Sequence, residues 1–285
     1  MSIAGIALLD FGLSQFLGIN IIVEPWIPFL MVGLITVYAV YPMFGSDLRA
    51  AQLCKAIAQH FGLGCTLAVL SCLVAAFDFP LIDAALARAD MALGISWIGI
   101  FNFVHSHQWI TLTLTLGYNS IAVQPILLLF WLIGTRRFDR FNEFISLFAL
   151  TLSVSIAISA VLPAAGAFVQ YDVLSLVNTD YWTLLTGLRN GTINEVMLSK
   201  IDGIVTFPSF HTALGIIFTY AARNIRFLFP TIAATNVVLI GATPIIGGHY
   251  FVDVIAGAII TMVVITMTMR PRATAQRHVS AQAMP

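Results

Sequence analysis

Apolar runs close to the length a bilayer requires alternate along this chain with short polar breaks. Residues 27–44, 58–77, 109–134, 141–163, 208–222, 230–246 and 250–269 each predict a helix of the bundle, with Pro125 a kink within its run. Residues 3–23 form a further apolar segment that ends at the Glu24-Pro25 break and either spans the membrane or lies along it. That segment carries Asp10 and no Lys or Arg, so it lacks the basic n-region of a cleaved signal peptide, which is not expected here.

Two stretches interrupt the alternation. Residues 78–108 mix Asp83, Arg88 and Asp90 with Leu81, Ile82, Leu86, Met91 and Leu93. This is the pattern of an amphipathic interfacial helix, followed by a shallow or re-entrant piece that ends at His105-Ser106-His107. Residues 164–207 are the longest connection, and connections of this length are usually functional. They carry Asp172, Asp180, Arg189, Glu195, Lys200 and Asp202 among apolar residues, which predicts short interfacial helices broken at Asn190-Gly191. Gly45 to Lys55 is read as a polar connection, and the arginine-bearing tail after Met269 as disordered.

Composition confirms the class: 59% hydrophobic and 9% charged residues, with a mean hydropathy of +0.95, describe an all-α polytopic membrane bundle with no soluble domain. The formal net charge is zero, from 13 basic and 13 acidic residues, and no nucleic-acid partner is expected. Cys54, Cys65 and Cys72 lack a C-x-x-C and suit neither a disulfide framework nor zinc. His105-Ser106-His107 has no third ligand at ligand spacing, so no metal and no cofactor are expected. Arg49 and Lys55, the Arg136-Arg137-Arg140 turn, Arg223 and Arg226, and the C-terminal arginines fall after alternate spans, hence on one side, read as cytoplasmic. Residues 78–108, 164–207 and the Gly247-Gly248 turn then share the opposite face.

The chemistry concentrates on that face. His249 and Asp253 are four residues apart, on one face of a helix, where the carboxylate can hold one imidazole nitrogen and leave the other free. Pro208-Ser209-Phe210-His211 opens a second helix in the same way. Helix N-termini present unpaired amides, so two converging here would form an anion pocket, and histidines beside an anion pocket suggest phosphoryl transfer. Arg189 and Lys200 are the basic residues of the long connection and the candidates to hold phosphate. Tyr118 and Asn119 lie inside a span and either bond between helices or line a substrate groove. Tyr250 and Trp182 read as interface aromatics.

These residues resemble the type-2 phosphatidic acid phosphatase superfamily of membrane lipid phosphatases and phosphotransferases, whose signatures run K-x6-R-P, P-S-G-H and S-R-x5-H-x3-D on six transmembrane helices. Pro208-Ser209-Phe210-His211 looks like the second signature, and His249 with Asp253 matches the end of the third. Thr243 stands in place of the family's arginine, Phe210 in place of its glycine, and the outer connection has no K-x6-R-P. These departures are similar to the branch of inositol phosphorylceramide synthase (aureobasidin resistance) and sphingomyelin synthase. The resemblance implies a six-helix catalytic core over residues 58–269, an N-terminal addition of one or two helices over 1–57 and a cytoplasmic tail over 270–285. It also implies that His249 attacks phosphorus to give a phosphohistidine, Asp253 orients it, His211 protonates the leaving alcohol and Ser209 contacts the phosphate.

The expected function is therefore an integral-membrane lipid phosphatase or phosphotransferase, in a plasma or bacterial inner membrane, acting at the non-cytoplasmic face. Its substrate is a lipid phosphate held in the bilayer, and the acceptor is water, an alcohol or another lipid. The alternative from another class is a transporter using His249, Asp253 and Arg189 as a proton or ion relay; it calls for polar groups near the midplane of several spans, whereas the best ones here sit at one boundary. A serine intramembrane protease is disfavoured because Ser209 has no nucleophile-elbow context.

Overall fold

The computed structural model describes residues 2–45, 47–177, 181–201 and 204–282; Asp180 and Asp202 of the long connection lie outside them. The chain begins with α1 (Ile3–Leu17), capped by the Ser2 side chain and ended by Gly18 in the left-handed region. β1 (Asn20–Ile22) and α2 (Trp26–Val40) follow, and α3 (Arg49–Ala75) is the first long span. α3 starts where a polar connection is expected, because Ala50, Ala51, Gln52, Leu53 and Ala56 are strong helix formers that carry the helix past the apolar run.

Residue 3 fixes how α1 relates to the bundle. A Cβ on Gly62, midway along α3, would meet the Ile3 side chain at 3.4 Å, while Ile19, just past α1, packs with Val69, Cys72 and Leu73 near the far end of α3. α1 therefore covers only half the length of α3. The turn after it places β1 in parallel pairing with β2 (Glu195–Met197), a small sheet too short to announce itself by alternation.

α4 (Asp83–Ala92) and α5 (Trp97–His105) meet at 85°, as a broken span or re-entrant hairpin does. α6 (Gln108–Asn119) and α7 (Gln124–Gly134) form one bent span with a 46° break, Pro125 lying in the first turn of α7, which agrees with the expected kink. α8 (Phe138–Val161) returns across the bundle. The long connection holds α9 (Ala167–Gln170) and α10 (Tyr181–Arg189), and α10 ends just before Gly191 at φ 72°, the expected break. α11 (Phe210–Ala222), α12 (Leu228–Ile246) and α13 (Phe251–Gln282) complete the chain.

Among the described residues five helices are long and apolar enough to cross a membrane, seven if each bent pair counts as one span. The protein is an all-α multi-pass membrane bundle. α11 lies at its centre against α8, α12 and α13, α12 packs on α6, and α3 packs on α8. One end of the core is aliphatic and aromatic, built on Leu128, Leu132, Phe144, Ile217 and Phe218, and the basic turns gather beyond it. There Arg223 pairs with Glu143 at 2.6 Å, Arg136 lies 3.9 Å from Asp47, and Arg140 donates to the Arg223 carbonyl. The opposite end packs Trp97, Phe101, Phe168 and Tyr250 into a second cluster.

The contact between α11 and α13 is so close that a Cβ on Gly257 would overlap the Ser209 carbonyl oxygen. Gly257→Ala is expected to push the two helices apart and to cost about 1–3 kcal/mol. The measurement is the melting temperature in detergent, which should fall; an unchanged value would mean that the helices do not approach as described.

Candidate active site

Gly248 takes φ 69°, which an L side chain rarely adopts, and so turns the chain sharply from α12 into α13. The turn delivers His249 into the bundle rather than to the surface. Its ring meets that of His211, carried on the first turn of α11, at a centroid distance of 5.6 Å and an edge-to-face angle of 64°. Residues 38 positions apart are thus joined as the sequence reading expects.

Both imidazoles line one cavity of about 590 Å³, whose wall also carries His105, Thr111, Thr115, Tyr118, Asn119, Tyr181 and Thr206. Thr111, Thr115, Tyr118 and Asn119 recur at helical spacing and form one face of α6. Tyr118 does more than line the wall. Its hydroxyl lies 2.8 Å from His211 Nε2, and its ring stacks on the imidazole at 4.7 Å. This partnership, 93 residues apart, has no local signal beyond the polar pair inside an apolar span.

Asp253 lies behind His249. Its Oδ2 is 3.5 Å from His249 Nδ1, at the length of an ion pair but beyond a hydrogen bond. The same Oδ2 accepts the Tyr250 backbone N–H at 2.8 Å, so part of the carboxylate is spent on fixing the turn. The His249 nitrogen turned away from Asp253 is Nε2. Burial pushes this imidazole down from 6.5 to about 4, opposed in part by the Thr206 backbone. At neutral pH it is uncharged and keeps a lone pair.

The remaining candidates lie elsewhere. Ser209 is buried as the N-cap of α11, accepting the Thr212 N–H at 3.3 Å and its hydroxyl at 3.2 Å. Its own N–H donates to the Asp253 carbonyl at 3.1 Å. It therefore ties α11 to α13 and does not line the cavity. Arg189 is drawn to the corner after α3, with Asp78 at 2.7 Å and the Phe77 carbonyl at 3.4 Å, because a carboxylate and free helix-end carbonyls outcompete an apolar-walled cavity for a guanidinium. Lys200 stands beside Ser199, which bonds Glu24, and also lies off the cavity wall. Among the described residues the wall has no Lys or Arg.

The expected anion pocket at two helix N-termini is also corrected. The Phe251 and Val252 amides at the start of α13 each donate to Asp90 at 2.9 Å, so a carboxylate of the protein already occupies that position. Ser209 satisfies the start of α11 likewise. His105-Ser106-His107 gathers no third ligand, and among the described residues no group of His, Cys, Asp and Glu is arranged to hold a metal.

With this geometry in place, a family model described as the PAP2 superfamily matches residues 84–267. The chain belongs to the PAP2 superfamily. The match spans α4 to the end of the described membrane part of α13 and contains both histidines and Asp253. Comparisons with curated proteins and with solved structures give no match. Membership of the PAP2 superfamily points to a phosphatase-type enzyme acting on lipids and agrees with the helical membrane fold.

The depressed pKa makes a signed prediction. The unfolded chain takes up this proton near 6.5 and the folded one near 4, so His249's contribution to stability is whole above pH 6.5 and is lost as pH falls towards 4. Nitrogen-labelled histidine spectra in detergent should show His249 neutral at about pH 6; an inflection at the ordinary value of about 6.5 would mean a solvated ring.

Proposed function

We propose that this PAP2 superfamily member cleaves a lipid phosphate ester through a phosphohistidine on His249. The observation that carries the reading is the pair of imidazoles, His249 buried and His211 half-buried, with ring centroids 5.6 Å apart on the wall of one cavity. His249 Nε2 attacks phosphorus as the bond to the leaving oxygen breaks, and His211, which takes up a proton from solvent as the anionic phosphate enters beside it, gives that oxygen the proton. Water or an alcohol then attacks the phosphohistidine, returning a proton to His211 and freeing His249. Asp253 holds the Nδ1 side of His249 and takes up part of the charge that develops there. Tyr118, in contact with His211 Nε2, orients the acid and faces the departing group.

The charge on the cavity wall favours transfer of a phospho-headgroup over simple phosphatase action. A phosphomonoester carries about two negative charges near neutral pH, a diester one. A wall of neutral donors such as Thr115, Asn119 and Thr206, with no Lys or Arg among the described residues, suits the diester. Thr243 in place of the family's arginine fits the same reading, as does the similarity to the inositol phosphorylceramide synthase branch. The catalytic core is assigned to residues 58–269, with 1–57 an addition and 270–285 a cytoplasmic tail. The active site faces away from the arginine-rich turns, hence the non-cytoplasmic side. Family membership weighs against the proton- or ion-relay reading.

The test is turnover of radiolabelled lipid phosphates and phosphodiesters by the purified protein, with and without inositol or diacylglycerol as acceptor. His249→Ala should abolish label transfer and the acid-labile phosphoprotein, and His211→Ala should slow turnover by roughly 10²–10⁴-fold. Tyr118→Phe should give a smaller loss than His211→Ala. Label entering a new lipid only with acceptor present supports transfer, whereas free phosphate without acceptor makes the protein a phosphatase. Equal activity in His249→Ala and the unaltered protein would sink the phosphohistidine.

A further inference from the structure

The α4–α5 hairpin was expected to float its charges at the interface, yet Asp83 and Asp90 are buried while Arg88 on the same helix is exposed. The two aspartates are seven residues apart, two turns along one helix face. Each has both oxygens hydrogen-bonded. Asp83 accepts the Ala165 and Gly166 amides at 2.8 and 2.7 Å and the Tyr250 hydroxyl at 2.9 Å. Asp90 accepts the Phe251 and Val252 amides, both at 2.9 Å.

Three of these bonds end on the turn that carries His249, and the other two hold the loop beside it. The loop held by Asp83 continues to Ala167, whose N–H donates to the Gly248 carbonyl at 2.7 Å. Trp97, at the start of α5, donates its indole N–H to the His249 carbonyl at 3.0 Å and to Pro244 at 3.2 Å. Residues 248, 249, 250, 251 and 252 are each fastened to the hairpin or to the loop it holds. Burying carboxylates in a membrane bundle is costly, and a neutral cap such as Ser or Asn would have sufficed to start α13. These carboxylates serve the turn and the loop beside it.

We propose that Asp83 and Asp90 are positioning residues, which clamp the 248–252 turn so that His249 is held against His211. They touch neither substrate nor the reacting atoms, and no residue of the clamp other than the turn itself need move during turnover. The inference rests on the reading of His249 as nucleophile for its kinetic consequence, but the clamp itself has an independent readout.

The experiment uses the purified full-length protein and Asp83→Asn, Asp90→Asn, Tyr250→Phe and Arg88→Ala. An Asn presents an amide N–H₂ to a donor and cannot accept both α13 amides, yet it keeps the size of the side chain. Two measurements are paired: turnover of a radiolabelled phosphodiester lipid in mixed micelles, and hydrogen exchange of peptides covering residues 245–256. Asp90→Asn and Asp83→Asn should lose roughly 10²-fold in kcat with KM and melting temperature unchanged, and exchange should quicken over 247–252 alone. Tyr250→Phe should lose less, since it removes one donor of Asp83, and Arg88→Ala should match the unaltered protein. A loss of kcat accompanied by a lower melting temperature and faster exchange across the whole bundle would overturn the clamp in favour of general destabilisation. Unchanged kcat in Asp90→Asn would overturn it too. Should the unaltered protein be inactive on the probe, the phosphohistidine reading fails separately, and exchange alone decides: unchanged exchange over 247–252 in Asp90→Asn overturns the proposal.

Discussion

A polar group taken into a membrane bundle has no water to fall back on, so each must find its partner within the protein. In this chain the requirement is met by concentration. Asp83, Asp90 and Asp253 lie within one end of the bundle and accept backbone and phenol donors from the segments around His249. Both oxygens of Asp83 and of Asp90 are thereby satisfied, as is Oδ2 of Asp253, and the segments that satisfy them lose their freedom. The same bonds that make the charges tolerable make the site rigid, and a rigid site is what aligned displacement at phosphorus demands.

The opposite end of the bundle uses its charges differently. Arg223 with Glu143, and Arg136 near Asp47, join turns between spans and leave the cavity alone. Arg189 behaves in the same manner on the other face, where it ties the long connection to the corner after α3 through Asp78 and two carbonyls. Guanidinium groups here are fasteners. The polar work inside the cavity falls to neutral side chains and imidazoles, which is why Tyr118 against His211 carries more weight than its single hydroxyl suggests.

Much of this was legible in the sequence. The apolar runs marked the spans, Pro125 the break between α6 and α7, Asn190-Gly191 the end of α10, and the spacing of His211, His249 and Asp253 the shared site. What resisted reading was direction. An amphipathic pattern shows that Asp83 and Asp90 share a face but not whether that face meets headgroups or another helix, and a re-entrant hairpin reverses the usual answer. The fate of Arg189 depended on a carboxylate 111 residues away, and Ser209 on a carbonyl of Asp253, neither of which any local rule specifies. The helix N-termini were correctly located and wrongly assumed to be vacant, because a cap supplied from α4 leaves no trace near α13 in the sequence.

The wall without Lys or Arg has a consequence for how substrate arrives. Long-range steering needs a field, and neutral donors exert almost none on an approaching anion. On the proposed lipid-phosphate reading, encounter then depends on how densely the lipid populates the plane of the bilayer and on lateral diffusion within it. On that reading the enzyme is governed by surface dilution, its rate following the mole fraction of substrate in the membrane with little response to the salt in the surrounding water.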